Sequence, residues 1–96
     1  MGYESFPGGD LIEKGLRDLE QGLETVESLL VSIGATRLRD AGIPVPVHEF
    51  LDPEHRLYAR LASQNPDSAH SRYNALLRLL VSFESAAECA GQPTRL

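Results

Sequence analysis

The chain has 96 residues, 42% of them hydrophobic and 24% charged, which is the composition of a globular protein with a single core. Its formal net charge of −5 is concentrated in residues 10–27, where acidic residues outnumber Lys14 and Arg17. A surface that binds duplex nucleic acid needs clustered lysine and arginine, so we expect no nucleic-acid partner.

Other sequence features bear on the compartment. Cys89 is the only cysteine, so the chain forms no internal disulfide. We expect it to pack among the alanines around it. No apolar run is long enough to span a membrane, and the first residues lack the pattern of a signal peptide. We therefore expect a cytoplasmic protein with no membrane partner. No cofactor-binding motif is present, and we predict no cofactor.

The strongest pattern in the sequence runs from Asp10 to Ile33. Asp10 followed by Glu13 matches a capping box, which predicts that a helix begins at Asp10. Its end is left open between Gly34 and Gly42, because the residues between them can continue a helix. Apolar residues recur in alternating steps of four and three, which predicts a long helix with one narrow hydrophobic stripe: Ile12, Leu16, Leu19, Leu23, Val26, Leu30 and Ile33.

Two glycines, Gly15 and Gly22, lie on one flank of this stripe. Each costs about 1 kcal/mol relative to alanine inside a helix, so their presence calls for an explanation. One interpretation is close approach of a neighbouring helix. The alternative is simple tolerance of glycine in a long helix.

Two segments are predicted to be non-helical. Residues 1–9 end in Pro-Gly-Gly and predict a flexible lead-in, from which Tyr3 and Phe6 can still pack against the helices. Residues 43–47 contain two prolines and predict an extended connector whose apolar residues lie across the bundle.

Two further helices follow the connector. Asp52-Pro53 predicts the start of a short helix over residues 53–64. Asn65-Pro66 repeats this signal and predicts a third helix that closes at Gly91. The hydrophobic stripe of that helix consists of Ala69, Tyr73, Leu76, Leu80, Phe83, Ala87 and Ala90.

We therefore predict an all-α fold, a bundle of two long antiparallel helices and one short helix. Residues 10–91 form its single domain, and residues 92–96 form a flexible tail. The third helix is apolar over most of its circumference, so we expect it to be the central element.

Its apolar residues outside the stripe predict a homodimer, because one chain has too little surface to cover them. The predicted interface consists of Leu77, Leu79 and Val81. Two copies of the long helices would complete a four-helix core, with Gly15 and Gly22 marking where a neighbouring helix comes closest.

Arg78 is the one charged residue in the apolar run 75–81. A buried guanidinium needs a carboxylate, so we expect it to pair with an acid of the first helix. The candidates are Glu20, Glu24 and Glu27.

A short repeat marks the starts of the second and third helices. Asp52-x-x-His55-x-x-Tyr58-x-x-Leu61 is followed by Asp67-x-x-His70-x-x-Tyr73-x-x-Leu76. One interpretation is a carboxylate–imidazole pair that binds a metal or acts as a general base. The candidate residues are then His48, Asp52, His55 and His70. The alternative is that each aspartate caps a helix, and it is favoured because zinc needs three or four convergent ligands.

The sequence thus favours a small non-enzymatic protein–protein interaction module, an adaptor, regulator or inhibitor that forms a homodimer and binds a protein partner. The alternative function is a metal-dependent helical-bundle protein or enzyme that uses the histidines and aspartates of the repeat.

Overall fold

The described part of the computed structural model, Tyr3 and residues 5–91, contains five α-helices and no strand. The helices are α1 (Gly9–Glu20), α2 (Val26–Ile33), α3 (Ala35–Asp40), α4 (Pro53–Gln64) and α5 (Ala69–Gly91). The all-α class is confirmed. The chain does not adopt the predicted set of two long helices and one short helix, because the segment expected to form the first helix is divided.

The division occurs at Gly22, where the chain folds α2 back on α1. The φ angle of Gly22 is +74°, in the left-handed region that favours glycine. The amides of Gly22 and Leu23 donate to the carbonyls of Leu19 and Asp18 at 3.0 and 2.8 Å. This pair of hydrogen bonds is a Schellman motif, which ends a helix. The prediction of one helix over residues 10–33 is therefore wrong.

Helix α2 begins with a capping box. The Thr25 hydroxyl accepts from the Ser28 amide at 3.1 Å, and the Ser28 hydroxyl accepts from the Thr25 amide at 2.8 Å. The Thr25 hydroxyl also donates to Asp18, which forms an ion pair with Lys14 at 2.7 Å. Hydrogen bonds from Lys14 and Thr25 hold the pKa of the Asp18 carboxyl below its usual value. The turn is thus fixed to α1 by side chains as well as by backbone.

Helix α1 begins earlier than the sequence pattern indicates. Its N-cap is Gly8, with a φ of +71°, and Asp10 lies in the first turn. The Glu13 carboxylate accepts from the amide of Tyr3 at 2.6 Å. The capping box predicted for Asp10 and Glu13 is therefore wrong.

The central helix is the short α2. Its consecutive residues 28–32 are all buried, and it packs against α1, α4 and α5. By contrast, α5 leaves one side exposed, so the prediction that this last helix is the central element is wrong. The stripe of α1 is covered within the chain, since Ile12 and Leu19 belong to the core.

Gly15 lies where α1 crosses α2. A Cβ atom at this position would meet the carbonyl oxygen of Glu27 and would lie 2.6 Å from Cγ2 of Val31. Close approach of a helix was one interpretation of this glycine. The helix that approaches Gly15 is α2 of the same chain. No atom lies near the position of a Cβ at Gly22, and this glycine instead forms the turn between α1 and α2.

A short helix, α3, follows α2 in the stretch where the sequence left the end of the first helix open. Gly34 separates α2 from α3, and Gly42, with a φ of +91°, ends α3. The connector over residues 43–47 is non-helical as predicted, with Ile43 and Val45 buried in the core.

The bounds predicted for the short helix, 53–64, are confirmed by α4. Asp52 is its N-cap residue, but its backbone is left-handed (φ 50°) and its side chain forms no capping bond. Helix α5 begins at Ala69, after a turn in which the Asn65 side chain accepts from the Asp67 and Ser68 amides.

The N-terminal residues pack against α5. Tyr3 and Phe6 both contact the ring of Phe83, each with 5.6 Å between ring centroids. The predicted tail, residues 92–96, lies outside the described residues. None of the described helices is both long and apolar enough to cross a membrane.

Candidate functional site

The repeated motif does not form carboxylate–imidazole pairs. Asp52, His55, Asp67 and His70 are all exposed, and no hydrogen bond or ion pair between described residues joins either aspartate to its histidine. The repeat instead brings its aromatic residues together at the α4–α5 elbow.

The ring centroid of Tyr58 lies 5.4 Å from that of Tyr73 and 6.5 Å from that of His70. His70 also contacts the Asn74 amide at 3.2 Å. Burial raises the pKa of the Tyr73 hydroxyl. These contacts join the two helices and leave His70 at the surface.

The four metal-ligand candidates do not converge. His48 is exposed in the non-helical segment before α4, while His55 and His70 lie on separate helices. Within the described residues, no three histidine, cysteine, aspartate or glutamate side chains are placed to hold a metal ion together. The chain therefore offers no ligand set for the alternative function through His48, Asp52, His55 and His70.

The exposed side of α5 carries an apolar ridge, which consists of Leu77 and Val81. Val81 is 50% exposed and Leu77 is half-buried. Residues four apart form the ridges that pack into grooves of other helices. One shallow groove, of about 400 Å³, lies on the outer flank of this ridge beside Arg78. A second, of about 450 Å³, lies between the ridge and the α2–α3 segment and is bounded by Asp40.

The other predicted interface residues lie elsewhere. Leu79 is on the opposite side of α5, where Gly8 of the lead-in lies against it. Gly15 is covered by α2, and Gly22 is exposed at the end of α1. The five predicted residues therefore do not share one continuous surface, and Leu77 and Val81 are the pair that do.

The prediction for Arg78 is wrong. Its side chain is exposed, and it pairs with none of the three acids proposed for it. Glu27 pairs instead with Lys14, and Glu24 with Arg56 and Arg60. Arg78 faces outward because α5 turns that side of its circumference away from α2.

One buried acid of α5, Glu84, was not predicted from the sequence and is only 4% exposed. Its carboxylate lies 3.1 Å from the Arg37 guanidinium, which also binds Glu88 at 2.6 Å. Burial raises the pKa of Glu84, while the hydrogen bond from Arg37 lowers the pKa of Glu88. Gly34 leaves room for this cluster, since a Cβ there would meet the Glu84 carboxylate.

Comparison of the chain with models of protein families, with curated proteins and with solved structures finds no match.

Cys89 lies outside the core. It is exposed near the end of α5, so the prediction that it packs among the neighbouring alanines is wrong. Exposed apolar side chains of the described surface include Val81 of the α5 ridge and Val47 and Leu51, which lie between α3 and α4.

Proposed function

We propose that the protein is a non-enzymatic interaction module that self-associates through the Leu77–Val81 ridge of α5. The observation that supports the proposal most is the groove of about 450 Å³ directly beside that ridge. A ridge next to a groove is self-complementary under a two-fold axis, because each copy can place its ridge in the groove of the other.

The charges beside the ridge fit this arrangement. Arg78 flanks the ridge on the outside, and Asp40 bounds the groove on the other side. Both are exposed, and neither forms an ion pair with a described residue. When each ridge lies in the other groove, Arg78 of one copy faces Asp40 of the other.

The association is expected to be reversible. The accessible surface of one chain is 5626 Å², close to the roughly 5,400 Å² expected for a folded monomer of its mass. This agreement supports a dimer in which the second copy covers a ridge rather than completing a core. This differs from the four-helix core expected from the sequence.

Sedimentation velocity from about 1 μM to about 1 mM tests the proposal, since a weak symmetric dimer forms within this range. The wild-type sedimentation coefficient should rise with concentration from that of a 10.5 kDa monomer. Val81→Glu should abolish the rise, because a glutamate on the ridge would be desolvated without a partner. Ala75→Glu is the matched control, since it adds the same charge at an exposed position of α5 away from the ridge.

A charge exchange tests the geometry of the dimer. Arg78→Glu and Asp40→Arg should each weaken association, whereas the double variant should restore it because the opposite charges again face one another. A wild-type chain that stays monomeric throughout the range contradicts the proposal, as does a Val81→Glu variant that associates like wild type.

A further inference from the structure

The segment between α3 and α4 carries the most exposed large apolar side chains of the described residues. Val47 is 80% exposed and Leu51 is 79% exposed. They lie four residues apart in a non-helical segment, here termed the Val47–Leu51 loop, which comprises residues 46–52. Single exposed apolar residues are common on protein surfaces, but two of them on one short loop need an explanation.

The loop is held in place on both sides of Val47, its first exposed apolar residue. The Arg39 guanidinium donates to the carbonyl of Pro46 at 2.6 Å and to the Glu49 carboxylate at 2.7 Å. The hydrogen bond from Arg39 lowers the pKa of Glu49, so the pair stays ionised at neutral pH. Val45, the residue that precedes Pro46, is buried in the core.

The loop is also held before its second exposed residue. The Phe50 amide donates to the hydroxyl of Ser32 at 3.1 Å, and Ser32 is a buried residue of the central helix α2. The Phe50 ring packs against the core. Val47 and Leu51 cannot turn inward without breaking these contacts. They are therefore presented to solvent by a fixed backbone, which lowers the entropy cost of binding.

The charges next to the loop indicate the partner chemistry. Asp52 and Glu54 are exposed beside Leu51, and neither forms an ion pair with a described residue. Anionic lipid headgroups would repel these carboxylates, so the loop is unsuited to a membrane surface. A protein surface with lysine or arginine at its rim would attract them.

We propose that the Val47–Leu51 loop docks two apolar side chains into a cleft of another protein whose rim carries lysine or arginine. This surface is independent of the α5 ridge, because it lies on a different segment and uses none of the residues of the proposed dimer.

The first experiment uses the purified protein alone. Val47→Ser/Leu51→Ser should leave the melting temperature within about 3 °C of wild type, because side chains this exposed contribute little to the fold. A larger fall would mean that the two side chains support the fold, and it would overturn the proposal.

The second experiment identifies the partner by photo-crosslinking in cells of the native host, with benzoylphenylalanine in place of Val47. The same probe in place of Ser63, an exposed residue of α4, is the control. The partner should crosslink from position 47 and not from position 63, and the crosslinked peptide should line an apolar cleft with lysine or arginine at its rim. Equal crosslinking from both positions, or none from position 47, would overturn the proposal.

Titration calorimetry with the purified partner then measures the contribution of each group. Val47→Ser/Leu51→Ser should weaken binding at least about tenfold. Asp52→Asn/Glu54→Gln should weaken it less and reduce its dependence on salt, since it removes only the attraction between charges. Unchanged affinity of the serine variant refutes the docking surface. Binding of the wild type to phosphatidylcholine/phosphatidylserine vesicles refutes the choice of a protein partner.

Discussion

Gly15 is the position at which one added methyl group tests the fold most directly. Its Cβ would meet the backbone of Glu27, lying 2.8 Å from the carbonyl carbon, and would lie 2.6 Å from the side chain of Val31. The obstacle is helix backbone, which cannot rotate aside as a side chain can. To accommodate Gly15→Ala, α1 must therefore move away from α2 along the whole of their contact.

The cost follows from two opposing effects. Inserting a methyl group into a packed core typically costs 1–3 kcal/mol, and a rigid obstacle puts Gly15→Ala at about 3 kcal/mol. Alanine gains about 1 kcal/mol over glycine in helix propensity. The free energy of unfolding should therefore fall by about 2 kcal/mol, which lowers the melting temperature of a domain of this size by roughly 8–15 °C.

Urea denaturation followed by circular dichroism measures this change. Arg17→Ala, at an exposed position of the same helix, is the control and should change the free energy of unfolding by less than about 0.5 kcal/mol. Gly15→Val should cost more than Gly15→Ala, because the added volume is larger. If Gly15→Ala is as stable as wild type or more stable, helix propensity alone decides the outcome and α1 does not cross α2 at this residue.

Two further predictions concern polar groups. Thr25→Ala should lower the free energy of unfolding by about 1–2 kcal/mol, because the Ser28 amide loses its capping acceptor, and chemical denaturation measures this loss. Because the pKa of Glu84 is raised, the protonated carboxyl stabilises the fold. This stabilisation is complete below the ordinary carboxyl pKa and is lost as pH rises through the raised pKa. Unfolding measured at about pH 4 and about pH 7 should therefore show Glu84→Gln gaining stability relative to wild type as pH rises. The lowered pKa of Glu88 has the opposite effect on stability, since that stabilisation is lost only as pH falls below the usual carboxyl range. A stability difference between Glu84→Gln and wild type that does not vary with pH would refute the assignment for Glu84.

Local signals predicted some elements correctly. The bounds of α4 follow from Asp52-Pro53 at one end and Asn65-Pro66 at the other, because proline in the first turn and the loss of its amide act within a few residues. The non-helical connector over residues 43–47 follows from the same chemistry. These signals depend on the backbone of neighbouring residues and not on tertiary packing.

The turn at Gly22 was missed because hydrophobic spacing carries no information about chain reversal. A glycine beside the stripe has the same spacing whether it is tolerated in a helix or ends one. The available signal was Thr25 followed by Ser28, a pair that caps a helix start three residues after Gly22. Asp10 and Glu13 form a similar pair in the sequence but do not cap a helix. In the structure Glu13 instead accepts a hydrogen bond from the Tyr3 amide of the lead-in.

The predicted stripe of α5 does face the core, since Ala69, Leu80, Phe83 and Ala87 are buried there, but the burial of residues outside the stripe could not be read from composition. Arg78 was expected to be buried because its sequence neighbours are apolar, whereas burial depends on which face of α5 lies against α2. Glu84 follows Leu80 by one helical turn and precedes Ala87 by three residues, so it lies on the buried face. Its partner Arg37 lies on α3, a helix that the sequence left unresolved.

The stripe from Ile12 to Ile33 keeps its spacing on both sides of the turn, although the chain reverses there. If residues 21–25 straightened, α1 and α2 would become one continuous helix about 37 Å long with an intact apolar face. Helix α1 would then leave α2 of its own chain and make the same contacts with α2 of a second copy. Such an exchange preserves nearly all native contacts, so the two arrangements differ mainly by the strain of the hinge and the entropy of association. The five-residue turn is thus the hinge that such an exchange would use, and Gly22 favours the closed form because the left-handed backbone of the turn costs glycine little.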